Sequence, residues 1–406
     1  MNQVLLVVID GLSDRPIRKL ANLTPLEAAK KPNLNTLAKR GIQGLMHTIS
    51  PGVRPGSDVA HLSLLSYNPY KYYPGRGPFE AAGLGMDFKV GDLAFRGNFA
   101  TVSRNLTILN RRAGRIDKTE ELVKLLNGIK IDTYQFFLKK GVGHRVAVIL
   151  RGKNLNEKVT DTDPHFEGKK VLTTRPKISD QNAKKTAKVI NQFTKKCYEI
   201  LDGAPLNKKR RMTGLPPANI ILLRGAGKFT KIPSFKEKTG FSSAMIAGGG
   251  LYKGIGKFLK MRVLEVKGAT GTPETNLKEK VKKALWALSH FDFVFLHIKG
   301  TDSLAEDGNY LGKKKFIEKI DKAIKPLLSL KETLIVLTSD HSTSSSLRIH
   351  TADPVPLLIV GEEIRTDETV SFDERSASTG RLGHIRGEEL MPIIKDQLGR
   401  APLMGA

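Results

Sequence analysis

Three apolar runs constrain this chain more than any other feature: Val4-Leu5-Leu6-Val7-Val8-Ile9, Phe293-Val294-Phe295-Leu296-His297-Ile298 and Leu334-Ile335-Val336-Leu337. Such runs read as strands buried on both faces, the environment of a parallel sheet covered by helices. Each passes directly into groups that suit a cation. Asp10-Gly11 follows the first, and Lys299-Gly300-Thr301-Asp302 the second, with Glu306 beyond it. Thr338-Ser339-Asp340-His341 follows the third, with His350 a short loop later. Ligands in open α/β sheets bind beyond the carboxyl ends of strands. The pattern therefore predicts that distant segments deliver carboxylates and imidazoles to one edge of one sheet.

Through the C-terminal half, strands and helices alternate. A helix spans 277–291, a second surrounds Phe316, Ile320, Ile324 and Leu327, and Pro356-Leu357-Leu358-Ile359-Val360 adds a strand. Alternation implies a mostly parallel sheet between helices, so the expected class is α/β. Near the start, Thr24-Pro25-Leu26-Glu27 is a capping box with proline at the first helical position. A loop rich in glycine and proline, 50–58, then feeds a helix that begins near Ser57. The character changes after the glycine-rich segment 73–80. Short strands at 99–102 and 146–150 follow, with a long amphipathic helix from near Ser179 in which Ala183, Ala187, Ile190, Cys197 and Leu201 keep helical spacing. Residues 208–217 read as a linker before a core strand at 220–223. The expected organisation is a core of 1–95 and 218–406 with a smaller α+β domain, 96–217, inserted into it.

A chain of 406 residues has room for two domains and a large core, and an apolar fraction of 40% marks it as globular. No run is long enough to span a bilayer, no signal peptide precedes the first strand, and Cys197 alone forms no internal disulfide. These features predict a cytoplasmic protein without a membrane partner. The net charge of +27 raises nucleic acid as a partner. Yet the lysines are scattered, only Lys208-Lys209-Arg210-Arg211 is concentrated, and no zinc-finger, RNA-recognition or basic-zipper signature accompanies it. Specific nucleic-acid binding is therefore not expected; a basic surface also steers small phosphorylated substrates. The sequence carries no signal for an oligomeric state.

Asp10, Asp302, Glu306, Asp340, His341 and His350 form an oxygen and nitrogen donor set without thiolate, which suits Mn²⁺, Mg²⁺, Co²⁺ or Zn²⁺. Six groups exceed one tetrahedral shell, so two ions are expected. Any one of them alone reads equally as a capping aspartate or a histidine satisfied in a turn; recurrence at three strand ends carries the argument. Ser57 in Gly56-Ser57-Asp58 reads alone as an N-cap, but beside cations it becomes a candidate nucleophile. The middle segment holds Arg111-Arg112-Ala113-Gly114-Arg115, Gly143-His144-Arg145, Asp163-Pro164-His165 and Arg224-Gly225-Ala226-Gly227. Arginine binds phosphate and carboxylate bidentately, so this set predicts a substrate pocket with acid–base capacity in Asp163 and His165. Arg111 by itself reads as a solvated surface group.

Asp10-Gly11, Gly56-Ser57-Asp58-Val59-Ala60-His61-Leu62, Gly75-Arg76-Gly77-Pro78-Phe79-Glu80, Arg112-Ala113-Gly114-Arg115, Asp163-Pro164-His165, Asp340-His341-Ser342-Thr343 and Asp353-Pro354-Val355-Pro356 together make the chain resemble, nearly end to end, the archaeal-type cofactor-independent phosphoglycerate mutases of the alkaline phosphatase superfamily. The resemblance implies an alkaline-phosphatase-like core and interconversion of 3-phosphoglycerate and 2-phosphoglycerate in glycolysis and gluconeogenesis. It also implies a phosphoserine intermediate, two divalent ions with Mn²⁺ foremost, and no 2,3-bisphosphoglycerate. Carried over by position, Ser57 is the nucleophile. One ion sits on Asp10, Ser57, Asp340 and His341, the other on Asp302, Glu306 and His350. The inserted domain closes over the glycerate with Arg112, Arg115, His144 and Arg145 as substrate residues and Asp163 and His165 as proton carriers, and Arg224, after the strand at 220–223, joins the substrate residues. One departure stands out: the family pattern Thr-Asp-x-x-x-His-Asp-Gly is here Thr301-Asp302-Ser303-Leu304-Ala305-Glu306-Asp307-Gly308. Glutamate makes that shell harder and more anionic, which predicts a shift toward Mn²⁺ or Mg²⁺. The alternatives are a metal-dependent phosphatase or phosphomutase for another small phosphorylated substrate, and a regulatory homologue without activity.

Overall fold

A computed structural model describes residues 1–405. In chain order its strands are β1 (Gln3–Ile9), β2 (Gly41–His47), β3 (Leu93–Val102), β4 (Ile108–Asn110), β5 (Lys130–Ile131), β6 (Tyr134–Lys140), β7 (Arg145–Arg151), β8 (Ile220–Lys228), β9 (Ser243–Ile246), β10 (Arg262–Val263), β11 (Phe293–Ile298), β12 (Thr333–Thr338), β13 (Ser342–Ser344), β14 (Ile349–Thr351), β15 (Val355–Val360) and β16 (Gly383–Arg386). They fall into two compact units, residues 1–73 with those from Pro233 onward, and residues 74–232.

The first unit is built on the sheet β10-β9-β11-β1-β12-β15-β2-β16. Only β15 runs antiparallel to its neighbours β12 and β2. Every residue from Val4 to Ile9 is fully buried, as the unbroken apolar run requires of a central strand with helices on both faces. On one face Leu5, Val7 and Ile9 pack with Leu34 and Leu37 of the helix Pro32–Ala38, Ala284 of the helix Leu277–Leu288, and Ile320 and Ile324 of the helix Tyr310–Ile324. Each large apolar side chain so buried contributes about 1.5–3 kcal/mol. The Thr24–Glu27 capping box forms both of its bonds, at 3.0 and 2.9 Å. Register fixes the sheet edge: Ile9 lies beside Ile298 and Val8 beside Thr338, so the chain leaves β11, β1 and β12 side by side.

The second unit is an antiparallel sheet, β4-β3-β7-β6-β5, with β8 added on β3. The helix Gln181–Asp202, capped by Asp180, buries Ala183, Ala187, Ile190, Phe193, Cys197 and Leu201. Phe193 stacks on Phe136 with ring centroids 3.9 Å apart. This unit begins and ends further out than 96 and 217. β3 starts at Leu93 and pairs with β7 and β8 from that residue. β8 runs on to Lys228, whose N–H donates to the Pro74 carbonyl at 3.0 Å. The sheet therefore draws the glycine-rich segment into the insertion. The stretch expected as a linker also differs, since Pro205–Met212 is a helix. Its buried Asn207 donates to the carbonyls of Leu201 and Ala218 at 2.7 and 3.0 Å, which ties the helix to the unit's core. Among the described residues, no helix is long and apolar enough to cross a membrane.

Candidate active site

Parallel strands that end in register place their following residues together. Asp10, the Lys299–Asp302 segment and Asp340-His341 thus converge in the first unit. The hairpin β13–β14 brings in His350 opposite Thr343, and the His350 ring stacks on that of His341 at 3.6 Å. Ser57 is the first residue of the helix Ser57–Leu64; Gly56 occupies the cap position and the serine hydroxyl does not cap. Instead Ser57 Oγ lies 3.1 Å from His341 Nε2. Six of the seven expected ligands share this pocket.

The donor atoms of Asp10, Asp340 and His341 lie within 4.8 Å of one another, and so do those of Asp302, His341 and His350. Asp10 Oδ1 and Asp340 Oδ2 are buried without a hydrogen-bond donor. Buried carboxylate oxygens are costly unless satisfied, and a cation is what this oxygen and nitrogen set fits. His341 belongs to both groups, which the sequence did not suggest. Glu306 belongs to neither: its carboxylate stands 3.8 Å from His350 Nε2 and its side chain is 53% exposed. The helix Gly300–Glu306 ends at this residue, leaving it at the rim of a cleft of about 410 Å³ lined by Arg54, Pro55, Glu306, Arg348, Ile349 and His350.

Charge in the pocket is balanced by protein groups that sequence reasoning left without a role. Lys299 Nζ lies 2.6 Å from Asp302 Oδ2 and 3.6 Å from Asp10 Oδ2. Burial disfavours its charge, but Asp10, Tyr252 and Asp302 hold the ammonium well above the usual lysine range. His297 donates from Nε2 to Asp10 Oδ2 at 3.0 Å, and Tyr252 donates its phenol to the same oxygen. His61 donates from Nδ1 to the Ser57 carbonyl at 2.6 Å. Burial lowers His341 to about 4 and His297 to about 3, so both are neutral. His350 is the exception; despite its burial, Asp302 raises it to about 9. Burial and the neighbouring Asp10 raise Asp340 to about 7. The one available signal for Lys299 and His297 was their position just before Asp302.

In the second unit a separate cluster forms around His144. Burial, then Arg145, Arg112, Arg96 and Arg224, lower this imidazole to about 4. Burial likewise lowers Arg96 to about 9, partly offset by Glu80, while Arg224, Arg145 and Arg76 crowd it. Arginines that crowd one another in this way suit an anion. Arg96 was not foreseen because it sits inside β3, where the apolar pattern dominates. Asp163 is fully buried and its oxygens accept from Arg111 at 3.2 and 2.7 Å and from the His165 N–H at 2.9 Å. Although burial opposes it, the Arg111 bond keeps Asp163 below the usual carboxylate range. That saturation makes Asp163 an anchor for Arg111 and unsuits it to carry protons, and it takes Arg111 out of the class of solvated surface groups. His165 is half-exposed, 4.0 Å from Asp161, and Arg115 is exposed.

Known proteins resemble this chain along nearly its whole length. The family model of 2,3-bisphosphoglycerate-independent phosphoglycerate mutase matches residues 38–207. The chain is 51% identical to the 2,3-bisphosphoglycerate-independent phosphoglycerate mutase 1 of Archaeoglobus fulgidus, over 99% of this chain and 100% of the relative. It is 48% identical to the corresponding protein of Methanocaldococcus jannaschii, over 98% of both. Among solved structures, the PH0037 protein of Pyrococcus horikoshii superposes with a TM-score of 0.86 at 37% identity, covering 100% of this chain and 99% of that one. The cofactor-independent phosphoglycerate mutase of Thermoplasma acidophilum does so with a TM-score of 0.75 at 41% identity, covering 98% and 100%.

Proposed function

Because the chain belongs to the 2,3-bisphosphoglycerate-independent phosphoglycerate mutase family, isomerases that interconvert 3-phosphoglycerate and 2-phosphoglycerate, we propose that Ser57 carries the phosphoryl group between the two hydroxyls at a centre for two divalent cations, Mn²⁺ foremost. One observation supports this reading above others. Ser57 Oγ shares a buried pocket with His341 Nε2 and with the donor-free oxygens of Asp10 and Asp340. Asp10, Ser57, Asp340 and His341 would hold one cation, and Asp302 and His350 the other, with Glu306 at its rim. When bound, such cations lower the pKa of the serine hydroxyl and neutralise charge on phosphoryl oxygens.

Ser57 Oγ gives up its proton and bonds to phosphorus as the bond to one glycerate oxygen breaks and that oxygen takes a proton; the neighbouring hydroxyl then loses its proton and bonds to phosphorus as the Oγ–P bond breaks and Ser57 is reprotonated. Lys299, fixed between Asp10 and Asp302, adds positive charge where phosphoryl oxygens gather. The helix starting at Ser57 directs its N-terminal dipole at the same place. A glycerate carboxylate needs a cationic receptor, which the cluster of Arg96, Arg112, Arg145 and Arg224 supplies. Arg115 stands near it in sequence, and His165 is the remaining candidate proton carrier of the second unit. A coupled assay with 3-phosphoglycerate, after chelation and return of single cations, tests the proposal. Ser57→Ala is expected to lose at least about a thousandfold in turnover with the fold intact. Free phosphate as the product, in place of 2-phosphoglycerate, would overturn it in favour of a phosphatase.

A further inference from the structure

We infer that Thr343 is a positioning residue that fixes both His341 and Asp302 for cation binding, and that the buried Lys313–Asp14 pair in turn fixes Thr343; this rests on the reading of the pocket as a paired-cation centre. Thr343 Oγ1 lies 2.8 Å from Asp302 Oδ1 and 3.1 Å from His341 Nδ1. The roles follow by elimination. An ionised carboxylate only accepts, so the hydroxyl proton points at Asp302. The hydroxyl lone pair then faces the imidazole, so His341 carries its proton on Nδ1. Its Nε2 lone pair is left facing Ser57 Oγ at 3.1 Å and Asp340 Oδ2 at 3.2 Å. One hydroxyl thereby selects the tautomer of one ligand and the rotation of another, and His341 is common to both ligand groups. Partners of this kind orient ligands and raise their affinity.

Thr343 is itself held from behind. Its N–H donates to the Ser13 carbonyl at 3.0 Å. Its carbonyl accepts from Lys313 Nζ at 3.0 Å, and the same ammonium donates to the Ser13 carbonyl at 2.9 Å and to Asp14 Oδ2 at 3.1 Å. All three ammonium protons are used, inside a fully buried site. Gly11 leaves room for the hydroxyl: with φ at +62°, a Cβ there would stand 2.6 Å from Thr343 Oγ1.

Thr343→Val keeps the shape and removes the hydroxyl, and Thr343→Ser keeps the hydroxyl. Mn²⁺ binding to the chelated full-length proteins, followed by titration calorimetry, separates the possibilities. The expected result is about 10–100-fold weaker binding for T343V and recovery toward wild type for T343S. Thr343→Ala replaces T343V if that variant does not fold. Equal affinity of T343V and wild type, or a T343S as weak as T343V, would overturn the inference alone. A wild-type protein that binds no Mn²⁺ would overturn the paired-cation reading and this inference with it.

Discussion

At the scale of single residues, burial sets which protonation state the fold tolerates. Lys280 is fully buried in the helix Leu277–Leu288, and its ammonium donates to the carbonyls of His297 and Thr270 at 3.1 and 3.4 Å rather than to a carboxylate. Burial, with Lys253 nearby, lowers it to about 8 from an ordinary 10.5. The unfolded chain therefore holds this proton more tightly than the folded one. Stability is reduced below pH 8 and recovers as pH rises toward 10.5. Lys280→Met is expected to gain up to about 3 kcal/mol at pH 7, less the two lost hydrogen bonds, and to lose that advantage by pH 10.5. Urea midpoints of both proteins across this range check it; a difference that does not change with pH contradicts it. Glu306 is the second test at this scale. Glu306→His should move activity away from Mn²⁺ and Mg²⁺ and toward Zn²⁺ and Co²⁺. Turnover profiles that coincide across the four cations would remove residue 306 from the site.

At the scale of elements, the buried Lys313 joins the helix Tyr310–Ile324 to the loop after β1 and to β13. Lys313→Met should cost about 3–5 kcal/mol, because it strands a buried Asp14, and adding Asp14→Asn should recover part of that loss. Denaturant unfolding of the two variants decides it; additive losses would mean the pair does not act as a unit. Neither the burial of Lys313 nor the bonds of the Thr343 hydroxyl were legible in the sequence. A lysine in a basic helix reads as solvated, and only the packed fold shows three carbonyl and carboxylate oxygens around it. What was legible was the meeting of Asp10, Asp302, Asp340 and His341, the proposed ligands, since doubly buried strands have a compositional signature and the residues after them share one sheet edge. His350 was legible as a loop histidine, but its stacking on His341 depends on hairpin register. The helix Pro205–Met212 was hidden by its Lys208-Lys209-Arg210-Arg211 run, and Arg96 by the apolar strand around it. Asp163 was read for its chemistry, whereas its partner Arg111, far off in sequence, determines what it does.

At the scale of the whole molecule, the proposed cation ligands all belong to the first unit. A ligand stabilises only what its binding requires to be folded. Mn²⁺ added to the chelated protein should therefore slow amide exchange in residues 1–73 and from 233 onward, and leave 74–232 unchanged; equal slowing in both units would contradict the assignment. The same discontinuity governs synthesis. β1 sits between β11 and β12, and the Gly11 N–H meets Asp340 Oδ1 across 329 residues of sequence. The ribosome thus releases β1 long before β11 and β12, and residues 74–232 emerge complete in between. For much of translation this apolar strand has no native mate, so the architecture makes its shelter from water a requirement of biogenesis.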